Sequence, residues 1–67
     1  MAISDKIYAL RNKNGITQEA FAERLDVTRQ SVQKWESGAG LPTIDKLIAI
    51  ATMFGVTMDY LCDRNDE

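Results

Sequence analysis

Arg29, Gln30, Gln33 and Lys34 lie close together in the chain, and each ends in hydrogen-bond donors on a long stem. On an ideal helix advancing about 100° per residue they fall at about 0°, 100°, 40° and 140°, while Val32 and Trp35 fall at about 300° and 240°, on the other side. Such a face can read a nucleic acid. Arginine offers two donors to guanine O6 and N7, and glutamine both donates to and accepts from adenine N6 and N7. On this chemistry Arg29 suits guanine and Gln30 suits adenine, with Lys34 divided between a guanine edge and a phosphate. Four polar residues on one side also describe an ordinary solvated helix, so the elements that position them must decide.

An apolar residue, a hydroxyl residue and a second apolar residue four positions after the hydroxyl recur along the chain: Ile3-Ser4 with Tyr8, Ile16-Thr17 with Phe21, Val27-Thr28 with Val32, and Val56-Thr57 with Leu61. Pro42-Thr43 with Leu47 is a fifth case, with proline in the first slot. Each is a helix start, because the hydroxyl accepts from an unpaired N–H in the first turn while the apolar pair staples the chain. Five helices follow. Their expected inward faces are Ile3, Ile7 and Leu10; Phe21, Ala22 and Leu25; Val32 and Trp35; and Ile44, Leu47, Ile48, Ala51 and Phe54. Gly15 and Gly55 stand where the first and fourth helices must stop, since glycine tolerates the left-handed closing turn. Only Asp26, Val27 and Thr28 separate the second and third helices, which is helix-turn-helix spacing. No strand-period segment is present, so the fold class is all-α.

The 67 residues suffice for one small core and not for a second domain or a deep cleft. Residues 1–62 read as the domain and 63–67 as a short acidic tail. Net charge is −2 and the pI about 5.0, which weighs against a nucleic-acid partner. The excess is local, however: residues 59–67 carry −3 and residues 1–58 carry +1. Enzymatic chemistry lacks material, with no histidine, no glycine-rich phosphate loop and a single cysteine, Cys62, with no base beside it. No catalytic residue, metal ligand or cofactor is expected. No apolar run approaches a membrane span, no signal peptide is visible, and a lone thiol fits a reducing compartment, so a cytoplasmic location is expected.

Read together, Leu10-Arg11, Gly15-Ile16-Thr17-Gln18, Phe21-Ala22, Leu25, Val27 to Val32, Trp35-Glu36, Gly38, Leu41-Pro42, Gly55-Val56-Thr57 and Tyr60-Leu61 resemble the Cro and repressor type of helix-turn-helix family, also called the xenobiotic-response-element type. The resemblance covers nearly the whole chain. It implies a compact five-helix, repressor-like domain that binds double-stranded DNA, with the third helix (about 29–36) in the major groove and the second across the backbone. By position it places Arg29, Gln30, Gln33 and Lys34 on bases. Phosphates then fall to Thr17, Gln18, Thr28, Ser37, Gly38 and Thr43, helped by the partial positive charge of a helix N-terminus. It also pairs Arg11 with Glu36 in a partly buried ion pair.

Two positions depart from the family pattern. Asp26 replaces the usual turn glycine, at a cost of roughly 1 kcal/mol if the backbone there is left-handed. Ala39 replaces a common lysine or arginine, which removes a phosphate contact and favours binding as a dimer. The resemblance therefore implies a transcriptional regulator, with repression the expected outcome, acting as a homodimer on a two-fold symmetric operator without a small-molecule effector. Apolar side chains after Phe54, namely Val56, Met58, Tyr60 and Leu61, exceed what a minimal core needs and are the expected dimer surface. The competing reading is an antitoxin-like module that uses the same fold to dock a protein.

Overall fold

The computed structural model describes residues 3–62, which form five α-helices: α1 (Ile3–Lys13), α2 (Gln18–Leu25), α3 (Arg29–Ser37), α4 (Ile44–Phe54) and α5 (Met58–Cys62). The acidic stretch 63–67 lies outside the described residues.

Hydroxyl residues start four of the five helices. Thr17, Thr28 and Thr43 are extended residues whose Oγ1 accepts from the backbone N–H three positions on, at Ala20 (3.0 Å), Ser31 (3.1 Å) and Lys46 (3.4 Å). Thr57 does the same for Tyr60 at 3.0 Å. Each cap contributes about 1 kcal/mol by satisfying a donor that the first turn leaves open. Ser4 departs from the expected pattern. Helix α1 is already formed at Ile3, so Ser4 lies within its first turn and does not cap it.

The helix ends are equally local in origin. Gly38 and Gly55 close α3 and α4 with φ of 85° and 67°. Asp26 closes α2 in the same left-handed region, with φ 59° and ψ 45°, so the turn adopts the shape a glycine would take despite the side chain.

Each helix sends one wholly buried side chain into the core: Ile7, Phe21, Val32, Ile50 and Leu61 are all 0% exposed. Leu10, Ala22, Leu25, Trp35, Leu47 and Ala51 complete it, and the rings of Phe21 and Phe54 stack at 5.8 Å between centroids. Trp35 is thus a core residue sealed beneath α3.

Helix α4 is rotated from the expected phase. Ile44 and Ile48, read from the sequence as core, are 65% and 49% exposed, while Ile50, absent from that reading, is fully buried. The physical reason is that α4 is apolar most of the way round, so more than one face satisfies the helical period. Packing against α2 and α5 then selects the Leu47, Ile50 and Ala51 side. The expected apolar surplus after Phe54 is also largely absent. Leu61 is buried and Val56 and Met58 pack against the core, leaving Tyr60 exposed with the Lys6 ammonium 4.0 Å from its ring centre.

Candidate nucleic-acid interface

Helix α3 owes its two-sidedness to spacing. Val32 and Trp35 fix its inner face in the core, and the same turn of the helix leaves Arg29, Gln30, Gln33 and Lys34 exposed on the other side. Gln30, Gln33, Lys34 and Ser37 line one shallow hollow along that face, one helical turn after another. Arg29, the first residue of α3, is exposed and precedes them in the helix. Ser37 belongs to this face because α3 runs through it, one residue beyond the expected end. At about 80° on the same helical projection it lies between Gln33 and Gln30, a signal present in the sequence once the helix is extended. Its hydroxyl donates to the Lys34 carbonyl at 3.2 Å.

The residues assigned to phosphates do not share one environment. Thr17 and Thr43 are exposed caps at the N-termini of α2 and α4. Thr28 both accepts from the Ser31 N–H and donates its own hydrogen to the Ser31 hydroxyl at 3.2 Å, so that hydrogen is engaged within the turn. The Gly38 N–H is directed to the Lys34 carbonyl, which also accepts from Ala39 and Gly40. The backbone after α3 is therefore folded onto the last turn of the helix and does not present that N–H outward.

Gln18 has a partner that its sequence position did not reveal. Its Nε2 donates to Glu36 Oε1 at 3.1 Å, tying the first turn of α2 to the last turn of α3. That bond uses one of the two hydrogens the amide carries. Glu36 also accepts from Nε and Nη2 of Arg11 in a two-pronged pair, and Arg11 Nη1 donates to the Ile16 carbonyl at 2.8 Å. The two side chains are only 10% and 6% exposed. Hydrogen bonding to Glu36 outweighs desolvation and holds the Arg11 guanidinium above the ordinary arginine pKa. Helices α1, α2 and α3 thus meet at one carboxylate, which ties the last turn of α3 to the other two.

A second clasp, from Lys46, carries no signal in the sequence. Its Nζ donates to the Leu25 carbonyl at 2.6 Å, closing the C-terminus of α2 beside the left-handed Asp26. Among the described residues no group of His, Cys, Asp or Glu is placed to hold a metal ion, and no helix is long and apolar enough to cross a membrane.

A helix-turn-helix family model matches residues 7–61. The chain belongs to that family, in its Cro and repressor form. It is 43% identical over 61 residues to the HTH-type transcriptional activator BcrR of Enterococcus faecalis, a match covering 91% of this chain and 30% of that protein. It is 34% identical to the cryptic phage CTXphi transcriptional repressor RstR of Vibrio cholerae, over 96% of this chain and 57% of the relative. Both relatives extend well beyond the matched region. Among solved structures, the P22 c2 repressor in complex with a synthetic operator superposes with a TM-score of 0.85 at 26% identity, covering 92% of this chain and 94% of that one.

Proposed function

We propose that residues 1–62 form a sequence-specific, double-stranded DNA-binding domain of a transcriptional regulator, with α3 in the major groove. One observation carries this reading: four donor-bearing side chains stand exposed along one side of a helix whose opposite side is locked into the core by Val32 and Trp35. Arg29, Gln30, Gln33 and Lys34 read bases, and Ser37 adjoins them. Thr17, Gln18 and Thr43 contact phosphates, while Thr28 and Gly38 shape the backbone at either end of α3. The P22 c2 repressor, similar over nearly its whole matched chain, was solved on an operator, which supports the same mode here. The relatives include an activator and a repressor. Repression by occluding a promoter is the proposed outcome, exerted in the cytoplasm by a homodimer on a two-fold symmetric operator.

A module that had given up DNA for a protein partner would have no use for donors at all four outward positions of α3, which favours the DNA reading over the antitoxin-like one. The test is selection of bound duplexes from a random pool, followed by the same selection with Gln30→Ala. The expected result is a two-fold symmetric motif that loses discrimination of about 1 to 3 kcal/mol at one position per half-site in the variant. An unchanged motif would show that α3 does not read through Gln30.

A further inference from the structure

Asn14 is followed directly by Gly15, and the pair stands exposed where α1 ends. Asparagine before glycine carries a chemistry of its own. The backbone nitrogen of the glycine can attack the side-chain carbon Cγ of the asparagine, and the glycine has no side chain to obstruct the approach. Gly15 is glycine for a reason unrelated to that reaction. It stands just past α1 with φ of 66°, and a Cβ there would meet nothing within 4 Å, so backbone conformation and not packing demands it. The residue that ends the helix thereby leaves the attacking nitrogen unshielded.

Both reacting groups are also held. Asn14 Nδ2 donates to the Leu10 carbonyl at 2.7 Å, and the Gly15 N–H donates to the Asn12 carbonyl at 3.0 Å. The first bond draws the side-chain amide back along the helix. The second engages the hydrogen that the nitrogen must lose before it can attack. The Ile16 N–H, donating to the Arg11 carbonyl at 3.0 Å, closes the turn behind them. We propose that Asn14-Gly15 is a site of spontaneous deamidation that the last turn of α1 keeps closed, so that the reaction proceeds when this turn unwinds. Helix ends open at far lower cost than a whole domain unfolds.

In the open turn the Gly15 nitrogen bonds to Cγ, the Cγ–Nδ2 bond breaks, and Nδ2 leaves as ammonia with the proton from the Gly15 N–H. One water then opens the cyclic imide at either carbonyl, giving aspartate or its β-linked isomer at position 14. Neither product restores the donor to Leu10, and a carboxylate at this position meets the partial negative charge of the helix C-terminus. The β-linked product also lengthens the main chain by one carbon just before Ile16, whose carbonyl accepts from Arg11 Nη1 at 2.8 Å. Conversion thus loosens the join of α1 to α2. Asn12 supplies the comparison within the same chain: its Nδ2 donates to the Tyr8 carbonyl at 2.8 Å, but the side chain of Lys13 shields the following nitrogen.

The full chain is incubated at mildly alkaline pH in buffer and in unfolding urea, and peptide mass spectrometry follows the replacement of amide by acid at each asparagine. In urea Asn14 is expected to convert ahead of Asn12. In buffer it is expected to convert about tenfold or more slowly than in urea, at a rate that changes little with urea below the unfolding transition, because a frayed turn exposes little surface. Equal rates for Asn14 in both media overturn the closed turn, and a rate that climbs in step with global unfolding overturns the local opening. An Asn14 that converts no faster than Asn12 in urea overturns the site itself. Asn14→Asp, which carries one product from the start, is expected to fold and to melt about 4 °C below the wild type. A variant that melts with the wild type overturns the Nδ2 bond as part of what holds the turn.

Discussion

Glu36 is the residue on which the placement of α3 turns. Three donors from two other helices converge on its carboxylate, and Arg11 brings a full charge into a site that is nearly closed to water. Removing the carboxylate leaves that charge without a counterion. Glu36→Ala is expected to cost about 3 to 5 kcal/mol, most of the stability of a domain this small. The Arg11→Leu, Glu36→Leu double variant is expected to be more stable than Glu36→Ala, because no uncompensated charge is buried. Urea denaturation followed by tryptophan fluorescence measures both, and a double variant no better than the single one would mean the charge itself is not the cost. The pair came from the resemblance; nothing in spacing alone joins residues 25 positions apart. Gln18 shows the same limit, since its link to Glu36 depends on how two helices meet.

At the scale of elements, what was legible in the sequence was what is local. A threonine caps its own helix through an N–H three residues away, and an inward stripe is a matter of period, so α2, α3, α4 and α5 have the starts expected of them. The phase of α4 was not legible. Its apolar residues span too much of the helix for period to choose a side, and the choice belongs to α2 and α5. The clasp from Lys46 to the Leu25 carbonyl was invisible for the same reason, being a contact across 21 positions. The α2–α3 turn lies between these cases. The aspartate at position 26 was legible as a departure from glycine, and its φ of 59° shows the strain is present. Asp26→Gly is therefore expected to raise stability by about 0.5 to 1 kcal/mol, or roughly 4 °C in Tm by calorimetry. A lower Tm would mean that the carboxylate stabilises the turn by more than the left-handed backbone costs.

For the whole molecule the governing fact is a scarcity of free positive charge. Residues 3–62 carry seven basic and seven acidic side chains. Arg11 is committed to Glu36 and Lys46 to a carbonyl; of the other five, only Arg29 and Lys34 lie on the exposed face of α3, while Lys13 and Arg24 are exposed at the ends of α1 and α2. Affinity for DNA must then lean on helix N-termini and neutral donors. The dependence of log K on log salt is expected to have a slope of about −2 per bound copy, far shallower than for proteins that neutralise many phosphates. Fluorescence anisotropy across a potassium chloride series gives the slope, and a value beyond about −5 per copy would place further cations against the backbone. Weak non-specific attraction is the counterpart of this design, and it makes cooperation between half-sites matter more.

Helix α3 divides its labour without overlap. Val32, Trp35 and Glu36 hold it to the body, whereas Arg29, Gln30, Gln33, Lys34 and Ser37 point away and support none of the core. On the proposed reading, retargeting is cheap in folding terms: exchange of these five positions as a cassette, by drift or by grafting, is expected to give a domain that melts at the same temperature and prefers a different operator.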